Sequence, residues 1–227
     1  MPVTSLAARL PGIETIRRWS QSLAALDAIL SPEWQYRYFS FDSRWDRREE
    51  LASMRNGSGD EYSIVFAPVG AYARGFDHES EMSPYVQSPR AVWPGVIDDV
   101  PAEFQQYVAE PAFSDEGVPA LTFCLWRRRD HARWQHGAVT FPSAGNDPDG
   151  ADRLFEQLDG RPDTYRTYAL EYFQTTIERD AISRVYRHEP LSAELLSDLN
   201  PELSLADIAA DLDEIGYPRR TCPRTAP

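Results

Sequence analysis

At 227 residues and 42% hydrophobic the chain can bury a sizeable core, and six tryptophans, eleven tyrosines and ten phenylalanines set it apart from disordered sequences. All 23 basic residues are arginine, which excludes Schiff-base, phosphate-loop and kinase-type lysine chemistry, and a side chain that holds its proton so firmly is a poor general base. Set against 36 acids, they leave a formal charge of −13 that disfavours nucleic acid and anionic membrane surfaces and favours a basic partner.

No apolar core of signal-peptide length precedes Pro11 and Gly12, and no apolar run is long enough to span a bilayer, so a cytoplasmic, membrane-free protein is expected. Ile13, Ile16, Trp19, Leu23, Leu26 and Leu30 recur at three- and four-residue steps and predict a helix ending before Pro32. Residues 34–43 place Tyr36 and Tyr38 on one face and Phe39 and Phe41 on the other, which predicts an inner strand covered on both sides. Strands over Leu51–Arg55, Tyr62–Ala67 and Ala71–Phe76 follow, joined at Asn56–Asp60 by a glycine-bearing hairpin tip, and make an antiparallel meander. Residues 80–101, with four prolines, read as an irregular connection laid over the surface. A short helix over Pro101–Glu110 and a buried strand over Leu121–Arg128 come next.

From Asp149 the pattern turns helical. Asp149 is expected to cap a helix carrying Leu154, Phe155 and Leu158 and ending at Gly160; Tyr165, Tyr168, Ala169 and Tyr172 mark a second, and Leu195, Leu196 and Leu199 a third. Ser204 and Asp207 cap the last one, with Leu205, Ile208, Leu212 and Ile215 inward and Gly216 as its stop. Strands followed by helices predict a single α+β domain over residues 1–218, a mainly antiparallel sheet in the N-terminal half with helices from both ends packed against it, and a flexible tail over 219–227. Cys124 reads as a small buried hydrophobe and Cys222 as a tail thiol; a disulfide between them stays open, although so few cysteines suit a reducing compartment.

The segments SMRNGSGDEY, GFDHESEMSPY, WPGV, FCLW, DPDGADRLFE and LNPELSLADIAADLDEIGYP together resemble a family of proteins from actinobacteria and related bacteria, over roughly residues 30–218. The resemblance implies a bacterial cytoplasmic protein; the family carries no established activity, so no functional residue transfers. In size, acidity and α+β order alone the chain is also similar to the immunity proteins of bacterial toxin systems, an analogy of class.

Asp77, His78 and Glu79 form the foremost catalytic or metal candidate, a histidine between carboxylates that could draw further ligands from Asp60, Asp115 or His188. Neighbours on a strand point to opposite faces, however, so a turn held by hydrogen bonds is the favoured account. His131 and His136 lack the four-residue spacing of a helical zinc pair, and Asn146–Asp152 lacks the glutamate and glycine positions of a calcium loop, so no metal and no cofactor are expected. Arg127, Arg128 and Arg129 beside Trp126 and Trp134 are an isolated basic patch at an exposed hairpin, read as a solvated strand end. The acidic face of the last helix, Asp207, Asp211, Asp213 and Glu214, is the candidate partner surface. The favoured function is therefore a non-catalytic protein-binding module, toxin-neutralising or regulatory, that meets a basic partner. The alternative is a hydrolase or metal-dependent enzyme centred on Asp77-His78-Glu79.

Overall fold

The computed structural model describes residues 1–142 and 145–220. Two helices, α1 (Val3–Arg9) and α2 (Ile13–Leu30), lead into four strands, β1 (Phe39–Asp46), β2 (Glu49–Arg55), β3 (Glu61–Ala67) and β4 (Gly70–Phe76). After a long segment holding the short helix α3 (Gln105–Val108) and a two-residue ribbon, β5 (Ser114–Asp115) and β6 (Val118–Pro119), comes β7 (Phe123–Arg128). Five helices complete the chain: α4 (Ala151–Leu154), α5 (Pro162–Tyr172), α6 (Arg179–Tyr186), α7 (Ala193–Leu199) and α8 (Ala209–Ile215). The main sheet runs β1-β2-β3-β4-β7, antiparallel throughout. The fold is thus α+β, and among the described residues no helix is long and apolar enough to cross a membrane.

Alternation along β3 decides the layering. Tyr62, Ile64 and Phe66 face one side, join Phe39, Phe41 and Leu125, and pack under α2 and the C-terminal helices. Val65 and Ala67 face the other side with Tyr72, Cys124 and Trp126, and there the cover is the irregular segment itself, through Met82, Val96, Val100, Phe104 and Phe113. The stretch expected to lie over the surface is therefore the wall of a second core. A strand apolar on both faces requires such a wall, since each large side chain moved out of water contributes roughly 1.5–3 kcal/mol. Arg74 enters that second core fully buried, bonded to the Glu61 carboxylate and the Ala120 carbonyl, with its guanidinium 4.7 Å over the Phe113 ring.

Several expectations change. Residues 34–43 are not an inner strand: Trp34–Tyr36 form a 3-10 turn, and β1 starts at Phe39 on an edge of the sheet. Helix α8 shields that edge, where the Ser43 hydroxyl donates to the Glu214 carbonyl at 2.6 Å, so β1 is protected from pairing with another chain. Helix α6 has no counterpart in the sequence reading, and α4 is a single turn whose N-cap is Gly150 in the left-handed region. Asp149 instead accepts the Ala151 amide at 3.2 Å and the distant Val3 amide at 2.8 Å. Trp134, expected on an exposed hairpin, is buried and donates to the Pro11 carbonyl at 2.8 Å. Within the stretch expected as a tail, Arg219 bridges Leu191 and the Arg220 amide bonds the Leu191 carbonyl at 3.0 Å. Cys124 is buried and free, and Cys222 lies outside the described residues.

Candidate functional site

Register brings Asp60 to Asp77. Because Glu61 pairs with Phe76 in the β3–β4 ladder, one further step sets residue 60 beside residue 77. The hairpin tip at Asn56 turns the chain tightly enough to hold Asp60 there, with the Asn56 Oδ1 accepting the Ser58 and Asp60 amides at 2.9 and 3.2 Å. Two carboxylates so close would repel, and Arg153 from α4 relieves this by donating to Asp60 Oδ2 at 2.6 Å and to Asp77 Oδ2 at 2.9 Å. Asp60 also accepts the His78 amide at 3.0 Å, the His78 Nδ1–H at 2.7 Å and the Asn56 amide at 2.8 Å. Burial alone would raise the Asp60 carboxyl, but the bonds from Arg153, His78 and Asn56 together hold it well below the usual carboxylate range. In return, the hydrogen bond to Asp60 raises the His78 imidazole above its ordinary value.

Asp77 and His78 therefore meet Asp60 and Arg153, not Glu79. The Glu79 amide donates to Asp77 Oδ1 at 3.0 Å while its own side chain stays exposed. Asp115 bonds Arg90 and Tyr85, and the His188 Nε2–H donates to the Arg18 carbonyl at 2.8 Å, so neither joins the group. Among the described residues, Asp60, Asp77 and His78 are the one set of metal-type ligands that converge, with ligand atoms within 4.8 Å of one another. The Arg153 guanidinium, bridging both carboxylates, already supplies the cation that such a set would attract. An Asp–His pair oriented through Nδ1 has the geometry of a general base, yet the bond to Asp60 favours the protonated ring, and among the described residues no hydroxyl or thiol is bonded to its Nε2. The cluster ties the β2–β3 tip, the end of β4 and α4 together.

Gly150 completes that junction. Its φ of +74° belongs to the left-handed region, and a Cβ there would lie within 2.5 Å of the Asp77 Cβ. Gly150→Ala should lower the unfolding free energy by about 3 kcal/mol, strain and overlap combined, as urea denaturation would show.

The acids of the last helix are largely engaged within the chain. Asp207 Oδ2 accepts the Ser204 amide at 2.8 Å and its hydroxyl at 2.6 Å, but α8 starts only at Ala209 with Ile208 as its N-cap, so this pair shapes the turn before the helix and is not the expected cap. Asp213 pairs with Arg219 at 2.8 Å, and Asp211 pairs with Arg37 at 2.6 Å. Glu214 lines a groove of about 460 Å³ together with Trp34, Tyr38 and Trp45. In the Arg127–Arg129 patch, Arg128 pairs with Glu103, Arg127 donates to the carbonyls of His131 and Pro11, and Arg129 to those of Ala67 and Pro68. Trp126 and Trp134 are both buried, so no basic-aromatic surface exists there.

A cluster of exposed aromatics lies elsewhere. Trp34 is 62% and Tyr36 55% exposed, and Tyr172, whose hydroxyl donates to the Tyr36 carbonyl at 3.1 Å, is 39% exposed. Trp34 and Tyr36 sit on a turn fastened at both ends, and Tyr172 ends α5 beside it. Arg37 donates to the Ser31 and Pro32 carbonyls at 2.7 Å each and to Asp211. Asp27, fully buried in α2, accepts the Tyr38 and Phe39 amides at 2.9 and 3.0 Å and the Tyr165 and Tyr168 hydroxyls at 2.8 and 3.3 Å. Burial raises the Asp27 carboxyl to about 7, in spite of those bonds. Tyr38 also lines a second, larger cleft of about 700 Å³ between β1–β2 and α4–α5, with Phe39 and Tyr168 on the same wall and Arg153 at its end. Neither Asp27 nor the turn belongs to a recognisable sequence motif. A carboxylate four residues after Leu23 and three before Leu30 stands within the apolar stripe of α2, which was the available signal.

Compared with family models, with curated proteins and with solved structures, the chain matches none of them.

Proposed function

We propose that the protein is a non-catalytic, cytoplasmic protein-binding module that recognises a basic partner through the Trp34–Tyr36 turn. The observation carrying this reading is the exposure of a tryptophan and a tyrosine on a turn fastened by Arg37 and Asp27, with the exposed Tyr172 at the end of α5 bonded to that turn. Large aromatics are the residue types that dominate interface energetics, and a turn held rigid before binding loses little entropy on docking. Glu214 borders the same groove as Trp34, so the acidic helix and the aromatic turn form one surface. The charge of −13 supports steering of a positively charged partner. In this reading Asp211 acts by stapling the turn, and a toxin-neutralising or regulatory role is the form the binding takes in a bacterial cell.

Affinity capture from the native cytoplasm at low and high salt, with wild type and Trp34→Ala/Tyr36→Ala compared side by side, tests this. A stoichiometric basic partner should be retained by wild type in a salt-sensitive way. The double variant should bind it about 100-fold more weakly, a loss of some 2–3 kcal/mol, with thermal stability unchanged. A partner held equally by both proteins, or none at all, overturns the assignment.

A further inference from the structure

The cleft of about 700 Å³ beside the aromatic turn has a wall and a rim of different character. Its wall is aromatic: the Tyr38 and Tyr168 rings lie 5.5 Å apart, and Phe39 and Tyr168 5.4 Å apart. Its rim carries Glu156 and Glu171, neither of which has an ion-pair or hydrogen-bond partner among the described side chains. Gln157, also in the lining, has its Oε1 buried with no donor. A buried acceptor without a donor is unfavourable, and a ligand bearing N–H groups would satisfy it. Of the two arginines present, Arg153 is matched by Asp60 and Asp77, while Arg161 is 80% exposed and 3.9 Å from Asp159.

We infer that this cleft receives the guanidinium group of an arginine side chain carried by the basic partner, an inference that rests on the binding-module reading and names what its second contact takes. A flat, delocalised cation stacks on aromatic rings, and its five donors need several acceptors at once, which two carboxylates and the Gln157 oxygen provide. An ammonium group, compact and strongly hydrated, would use the flat wall less well. Tyr38 belongs to both the cleft and the groove beside Trp34, so an arginine seated here would lie next to a chain docked on the turn.

The probe is N-acetyl-arginine methylamide, with the neutral isostere N-acetyl-citrulline methylamide as control, titrated to millimolar concentration while the tyrosine ring resonances are followed by NMR. Saturable shifts on Tyr38 and Tyr168 are expected for arginine and not for citrulline. Glu156→Gln/Glu171→Gln, two exposed sites, should weaken binding about tenfold with an unchanged circular dichroism spectrum. Equal binding of citrulline, no binding of either probe, or full affinity in the double variant overturns the inference. None of these outcomes depends on Trp34: if the probe fails while capture of a partner still requires Trp34, only the cleft assignment falls.

Discussion

Asp27→Asn should remove about 4 kcal/mol of the loss of stability that the wild-type protein suffers between pH 4 and pH 7. Burial lifts the Asp27 carboxyl from its ordinary 3.8 to about 7 in the folded chain. In the unfolded chain the proton leaves near pH 4; in the folded chain it stays until about pH 7, so each pH unit between them favours unfolding by about 1.4 kcal/mol. The stabilisation is thus complete below about pH 4 and gone above about pH 7. An asparagine cannot titrate; its oxygen can accept the Tyr38 and Phe39 amides, and its amide can donate to the Tyr165 hydroxyl oxygen. Asp149, raised by burial to about 6, tilts the curve the same way and persists in the variant. Asp60, held low, opposes them only below about pH 4, so wild-type stability should peak near pH 4. Urea denaturation at half-unit pH steps measures the difference, and parallel curves for the two proteins would refute it.

The meander was readable because each strand alternates over a full length and the turns carry glycine, as at Asn56–Asp60. The aromatic turn was not, because alternation of Tyr36, Tyr38, Phe39 and Phe41 satisfies a strand as well as it satisfies a 3-10 turn followed by a strand. What distinguishes them is Arg37 folding back onto the Ser31 and Pro32 carbonyls and onto Asp211, and that last partner lies 174 residues away. Likewise the irregular cover over the second sheet face has no period of its own; only the two-sided apolarity of β3 implied that something must lie there. Of the candidate cluster, Asp77 and His78 were legible and their partners were not. Asp60 depends on hairpin register and Arg153 on the placement of α4, both set by packing across the molecule.

Asp60→Ala should lower the unfolding free energy at pH 7 by about 3 kcal/mol, whereas His78→Ala should change it little. A buried carboxylate with four donors is the hub of its network, and its loss strands Arg153 beside Asp77 and leaves the His78 and Asn56 groups without their acceptor. His78, 39% exposed, can exchange its single ring bond for water. What His78 does contribute follows the opposite course from Asp60: it is present below the ordinary histidine value and lost as pH rises through the raised folded one, so His78→Ala should matter more at pH 5.5 than at pH 9. Arg153→Ala leaves Asp60 and Asp77 facing each other without their cation and should destabilise as well, but the double variant Asp60→Ala/Arg153→Ala should lose less than the two single losses together, because each removes a charge that the other variant leaves unmatched. Denaturation of the three variants closes that cycle. Strict additivity would mean that Asp60 and Arg153 act independently, and the carboxylate pair would again be open as a site for an external cation.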